Sequence, residues 1–282
     1  MNILPTTSSH HILVISDLHI GALYSSGDQA WSKQLKPLLN TGTFDQCILN
    51  GDNFEFQQPY SSPADVLITA KNWLSDILKE YPNIEFHYIL GNHERFVEFE
   101  KLLSSLETQY PNLHIHPSHY RVGDSLFLHG DWHMEPDIQI RKPISYNDNQ
   151  PSQVEKIVQA AFNIALPATG ASWLRFPVNK KINEIRETLS EDNLLSGVSH
   201  IFFGHIHTPF IGYQPPDETE KAQITFHNTG AAVNADILNI LGVTINDGYC
   251  TEVESLTMPR TFAKLVNTKT PYTVKPNAGT AL

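Results

Sequence analysis

Apolar runs of four to seven residues punctuate the chain, and each one stops at a polar cluster. His11 to Ser16, Gln46 to Asn50, Ile84 to Leu90, Ser125 to Leu128 and His200 to Phe203 are short runs of this kind. Their length and their β-branched and aromatic content predict strands. Between them, Pro63 to Glu80 carries Val66, Leu67, Trp73, Leu74, Ile77 and Leu78 at mostly helical spacing. Arg95 to Tyr110 likewise places Phe96, Phe99, Leu102, Leu103 and Leu106 mostly on one side. Both predict core-facing helices, with Trp73 as a packing residue. A further helix is expected around Asp28 to Lys36. Leu113-His114-Ile115-His116 alternates with the strand period, which predicts a half-exposed strand with both histidines on one face. Gln223 to Asn228 and Asn239 to Ile245 read as closing strands, with bends at Gly242 and Gly248. No clear periodicity follows Pro259.

Composition narrows the class. With 282 residues, 40% of them hydrophobic, the chain can bury a substantial core and fits one α/β domain with an insertion. A net charge of −11 argues against broad contact with a phosphate backbone, so nucleic acid is not an expected partner. Cys47 and Cys250 form neither a disulfide framework nor a zinc spacing, which favours a reducing cytoplasm. Met1 to His11 lacks a signal-peptide pattern, and no stretch reaches transmembrane length.

The chemistry sits where the strands end. Asp17-Leu18-His19 follows the first strand, and its two polar side chains share a face if the extended backbone continues. Gly51-Asp52-Asn53-Phe54-Glu55 follows the second; Gly51 lets the backbone turn Asp52 inward, where one carboxylate can bridge two cations. Glu55 could accept the N–H of a catalytic imidazole and hold its tautomer. Gly91-Asn92-His93-Glu94, His129-Gly130-Asp131 and Gly204-His205-Ile206-His207 end the other three. Singly, each has an ordinary explanation: a helix-capping Asp, a turn Asn, a solvated loop Glu, an exposed His. His133 could reach the same place, or be a loop residue. As a set, Asp17, His19, Asp52, Asn92, His129, His205 and His207 offer carboxylate, amide and imidazole donors suited to manganese, iron or zinc. Seven such ligands suffice for two divalent ions, which together clamp a phosphoryl group and lower the pKa of a bound water.

The five motifs, in this order, resemble those of the calcineurin-like metallophosphoesterases. The resemblance implies a four-layer α/β/β/α sandwich with the motifs on loops at strand ends. It further implies that Asp17, His19, Asp52 and His207 hold one ion and that Asn92, His129 and His205 hold the other, with Asp52 bridging; manganese is the expected metal, with iron or zinc as alternatives. His93 would then be the proton donor to the leaving oxygen, oriented by Glu55. Protein Ser/Thr phosphatases of the family carry Asp-Arg-Gly where this chain has Glu55-Phe56-Gln57, so a small-molecule phosphoester is the expected substrate. Gly51-Asp52-Asn53-Phe54-Glu55, His129-Gly130-Asp131 and Asn228-Thr229-Gly230 are similar to the UDP-diacylglucosamine pyrophosphatase branch, which gives an alternative activity. A scaffold that keeps the fold without turnover is the non-enzymatic alternative.

The expected layout is a metallophosphoesterase domain over 1–258, an insert at 132–181 and a tail at 259–282. The insert mixes Tyr146, Phe162, Trp173 and Phe176 with Arg141, Lys142, Arg175 and Lys180, and it is longer than a crossover needs. It reads either as a cap over the metals, and the place for any peripheral membrane contact, or as a surface insertion with its own small core. Deleting Asp137 to Phe176 is expected to change the relative rates on phosphomonoesters and diesters; unchanged kinetics on every ester tested would rule the cap out.

Overall fold

β1 (Ser9–Ile15) is buried on both faces from Ile12 onward, and its neighbours explain why it reads as an unbroken apolar run. In the computed structural model, residues 8–22, 25, 27, 31–57, 61–131, 178–215, 224–232 and 239–256 are described, with the backbone of 272–273. After β1, a π-helical turn over Trp31–Leu35 runs into α1 (Lys36–Leu39). Then come β2 (Gln46–Asn50), α2 (Pro63–Glu80), β3 (Glu85–Ile89), a 3-10 turn (Asn92–Glu94), α3 (Val97–Gln109) and β4 (Leu113–His116). β5 (His119–Val122), β6 (Ser125–Leu128), α4 (Val178–Glu191), β7 (His200–Phe203) and β8 (Phe210–Tyr213) follow. β9 (Thr225–Asn228), β10 (Leu241–Asn246), β11 (Tyr249–Ser255) and β12 (Tyr272–Thr273) complete the described elements.

Two sheets result, with orders β12-β11-β10-β1-β2-β3-β4 and β5-β6-β7-β9-β8. Leu13, Ile15, Cys47, Leu49, Phe86 and Tyr88 face α2 and α3 on the outside of the larger sheet. Ile12, Val14 and Ile48 turn the other way and meet Phe127 and Phe202 of the smaller sheet. The outer face of the smaller sheet packs Leu126, Leu128, Ile201 and Phe203 against Ile182, Ile185 and Leu189 of α4. The layers are therefore α/β/β/α, as the sequence leads one to expect. No helix among the described residues is long and apolar enough to cross a membrane.

Local chemistry sets the element ends. Ser62 accepts the N–H of Asp65 and Pro63 takes the first helical position, so α2 starts where a missing N–H does no harm. The helix expected at 28–36 is displaced: its described part is a π-turn followed by α1, and Pro37 removes the N–H that a regular helix would use there. β5, β8 and β11 were not expected. β5 is mostly half-exposed, β8 contains Gly212 at φ +69°, and β11 alternates buried with exposed residues, so none makes a strong apolar run. α4 begins at Val178, so residues 178–181 belong to the helical layer; 132–177, with His133 and the rest of the insert, and the tail apart from β12 lie outside the described residues.

The interface between the sheets carries a ladder of flat rings. Phe127 and Phe202 are register partners and stack with centroids 4.7 Å apart, and His227 extends the row at 4.5 Å from Phe202. Tyr120 crosses to the other sheet and lies 4.0 Å from His87, which stacks on His114 and His116. Burial, reinforced by neighbouring imidazoles, pushes His87 down to about 3 and His116 down to about 4, and holds His227 well below the usual histidine range. These rings are neutral in the fold. An unfolded chain takes up their protons from about pH 6.5 downward, whereas the fold refuses them until a lower pH. The stability that these three rings contribute is thus full above about pH 6.5 and declines below it, by up to about 1.4 kcal/mol per pH unit for wholly buried His227. Urea unfolding in chelator between pH 7.5 and pH 5 checks this; His227→Phe should flatten the pH slope whatever it does to the midpoint at pH 7.5.

Candidate metal centre

All five motifs meet at one edge of the sandwich, and the two sheets contribute in nearly equal parts. The larger sheet delivers Asp17 and His19 after β1, Asp52 after β2 and Asn92 after β3, while the smaller delivers His129 after β6 and His205 and His207 after β7. Backbone pairing continues past the strand ends: Asp17, His19 and Ile20 donate N–H groups to the carbonyls of Gly51, Asp52 and Asn53 at 2.9, 3.0 and 2.8 Å. This pairing fixes the first motif against the second.

The route by which neighbouring ligands converge differs from strand alternation. Asp17, His19, Asp52, His205 and His207 all have positive φ, between 47° and 61°, and they make up five of the seven non-glycine residues in that region among the described residues. Left-handed backbone at non-glycine residues costs about 1–2 kcal/mol each and collects at functional sites. Asp17 with His19, and His205 with His207, are brought together by paired left-handed turns, not by an extended strand.

The seven side chains form two adjoining groups. In one, His207 Nε2 lies 3.3 Å from both Asp17 Oδ1 and His19 Nε2, and His19 Nε2 lies 3.9 Å from Asp17 Oδ1. In the other, His129 Nε2 is 3.0 Å from Asp52 Oδ2, and His205 Nδ1 is 3.1 Å from Asn92 Oδ1. Asp52, His129 and His205 could hold one ion, and Asp17, His19 and His207 another. Tautomers fit this use. His129 donates Nδ1–H to the Asn50 carbonyl at 3.1 Å, and Glu55 takes the Nδ1–H of His19 at 3.2 Å, so Nε2 of both rings faces the cluster; burial lowers His129, but Asp52 beside it raises it to about 10, and a binding cation would take the place of its Nε2 proton. Facing nitrogen lone pairs and buried carboxylates repel one another unless a cation sits between them. The donor set therefore fits divalent ions.

Around the ligands, donors fix the carboxylates. Asp17 receives the N–H of His205 on both oxygens, at 3.1 and 3.0 Å, and the Ser16 hydroxyl, which also contacts Thr229. Asp52 Oδ1 receives the N–H of His93 at 2.8 Å. Burial alone would raise the Asp52 carboxyl, but the charges of His129 and His93 hold it well below the usual carboxylate range. Asn228 Nδ2 donates to the Gly204 carbonyl at 2.6 Å, tying β9 to the last motif.

His93 and Glu55 stand as expected: His93 Nδ1 is 2.8 Å from Glu55 Oε1, and its Nε2 is 3.9 Å from Asp52 Oδ2. Burial lowers the His93 imidazole, yet Glu55 and Asp52 more than offset this and raise it to about 9. Glu94 has a role that sequence reasoning missed. Its buried carboxylate accepts the N–H groups of Asp52, Asn53, Phe54 and Gly91 and the Tyr88 hydroxyl. Burial and Asp52 raise its carboxyl to about 7, against the pull of these donors. Its place two residues after Asn92 was the available signal, but only folding shows the four N–H groups turned toward it.

Two layered sheets that present histidines and carboxylates at a shared edge define a metal-binding α/β/β/α protein. The model of the calcineurin-like phosphoesterase family matches residues 10–209, and the chain belongs to that family. No curated protein matches it. Among solved structures, a dimetal phosphatase from Danio rerio is 9% identical with a TM-score of 0.47, over 89% of this chain and 99% of that one. A nuclease MPE from Pseudomonas putida is 17% identical with a TM-score of 0.36, over 82% of this chain and 83% of that one.

Gly91 has no room for a side chain, because a Cβ there would run into Asp52 Oδ1 and the Asp52 backbone nitrogen. Gly91→Ala should displace Asp52, lower stability by about 1–3 kcal/mol and weaken manganese binding at least ~10-fold. Thermal melting and isothermal titration check this, and unchanged binding would show that Asp52 is not held by this contact.

Proposed function

We propose that this protein hydrolyses small-molecule phosphoesters with two divalent ions, both of which Asp52 would help to hold, and with His93 as the general acid. One observation carries the reading: Asp17, His19 and His207 form one cluster and Asp52, His129 and His205 another, a third close set of His19, Asp52 and His93 joins them, and the His93 imidazole there is backed by the buried Glu55 carboxylate. Asp17, His19, Asp52 and His207 would hold one ion; Asp52, Asn92, His129 and His205 would hold the other. When bound, the ions supply the positive charge that activates a water and clamps the phosphoryl oxygens.

The chain's own residues do the rest. Glu55 keeps a proton on His93 Nδ1 and, through its charge, keeps the ring protonated at neutral pH, leaving Nε2–H free to donate. As the phosphorus–oxygen bond breaks, its electron pair passes to the leaving oxygen, which takes the proton from Nε2. The N–H of His93 on Asp52 holds the acid and the bridging carboxylate in one rigid turn.

Phe56, at the place of the phosphate-gripping Arg of protein Ser/Thr phosphatases, is buried against Phe96 and Phe99, which supports a substrate other than a phosphoprotein. Nitrogen and oxygen donors without thiolate favour manganese, with iron or zinc as alternatives. The UDP-diacylglucosamine pyrophosphatase reading rests on motif resemblance, and that branch has Arg where this chain has His93.

Metal-stripped protein given manganese, zinc or iron should hydrolyse bis-p-nitrophenyl phosphate, p-nitrophenyl phosphate or a UDP-linked sugar, and His93→Ala should reduce turnover ~10²- to 10⁴-fold. The acid form of His93 is lost as pH rises, so activity should fall on the alkaline side, at a midpoint that bound cations would draw below the about 9 set by Glu55 and Asp52, and this limb should vanish in the variant. Turnover indifferent to metal would overturn the proposal.

A further inference from the structure

Glu55 touches more than the acid it was expected to orient. Its carboxylate is fully buried, and its two oxygens serve different partners. Oε1 accepts from His93 Nδ1 at 2.8 Å and from the Gln57 N–H at 2.9 Å; Oε2 faces His19 Nδ1 at 3.2 Å. The two imidazoles stand nearly perpendicular, at 87° with centroids 4.9 Å apart, so each directs an N–H at its own oxygen. His19 in turn points Nε2 toward His207 Nε2 at 3.3 Å.

We infer that Glu55 is a positioning residue for the ion held by Asp17, His19 and His207 as well as for the general acid, so that one carboxylate joins metal retention to proton donation. The inference rests on the dinuclear reading above and deepens it. Its chemistry is a matter of acceptors. Oε1 is already taken by the N–H groups of His93 and Gln57, so the His19 N–H needs a second oxygen, and only a carboxylate provides both. An amide offers one oxygen and one NH2 group. If that NH2 faces His19, the ring relieves the clash of two donors only by moving its proton from Nδ1 to Nε2, and a protonated Nε2 cannot bind a metal. If it faces His93 instead, the acid loses its acceptor. An aspartate in the same place is one methylene shorter and reaches one ring at a time. A carboxylate that only oriented His93 would have no bearing on metal affinity.

The test compares metal affinity in four proteins: wild type, Glu55→Gln, His93→Ala and His19→Ala, each stripped and titrated with manganese by calorimetry. The expected result is two ions in wild type, an affinity ~10- to 100-fold weaker for one of them in Glu55→Gln, and little change in His93→Ala. Retained affinity for both ions in Glu55→Gln, with one ion lost in His19→Ala, overturns the inference and leaves the dinuclear reading standing. Both ions retained in His19→Ala overturns the dinuclear reading itself. Should Glu55→Gln fail to fold, histidine 15N spectra of zinc-loaded wild type decide instead. His19 protonated at Nδ1 and metal-bound at Nε2 supports the inference, and the opposite tautomer overturns it.

Discussion

Glu94 receives four backbone N–H groups and a phenol, and through them the turn carrying Asp52 acquires one conformation. The constraint is desolvation. A carboxylate buried at the edge of a sandwich is costly unless donors surround it, and backbone donors are the kind that folding can place rigidly. Asp17 and Glu94 meet this demand with N–H groups from remote segments, His205 for the first and residues 52–54 for the second, while Glu55 combines the local N–H of Gln57 with ring N–H groups of His19 and His93 and Glu94 adds the local N–H of Gly91. The long-range bonds among these both make burial tolerable and lock one motif to another.

That locking explains how left-handed backbone survives at five candidate ligating positions without glycine at each. Per-residue strain of about 1–2 kcal/mol is sustained because the same residues are held from outside, as when His19 donates to the Asp52 carbonyl and Asp17 to that of Gly51. Gly91 and Gly204 serve differently. At both, a side chain would enter the space of a carboxylate, Asp52 in one case and Asp17 in the other. Packing density, not dihedral freedom, excludes other residues there.

Much of this was legible in the chain. Strands such as β2 and helices such as α2 have the bounds their apolar patterns predict, because burial on two faces or one stripe leaves a strong periodic mark. The motif residues could be picked out because polar side chains beside glycine at buried strand ends have few structural explanations. What was not legible depends on partners distant in sequence. Nothing local shows that Asp17 and His19 leave the strand conformation, that Glu94 will face four N–H groups, or that Glu55 will reach His19 as well as His93. β5 and β11 escaped notice because one face of each is half wet, and the ring ladder because register, not composition, aligns Tyr120, Phe127, Phe202 and His227.

The division of ligands between the sheets connects stability to chemistry. Asp17 and His19 from one sheet meet His207 from the other, and Asp52 and Asn92 meet His129 and His205, so each group spans the sandwich. Sheets that slid apart would separate both groups at once. The inner face opposes sliding through register-matched ring stacking and through Asn50, whose side chain donates to the Phe202 carbonyl at 3.2 Å while its own carbonyl accepts from His129. Asn50 thus ties the end of β2 to β7 and sets the tautomer of His129 with the same backbone. The interior that aligns the sheets and the cluster that would hold cations are consequently one mechanical unit, and ions binding across it would add to the cohesion that ring stacking begins.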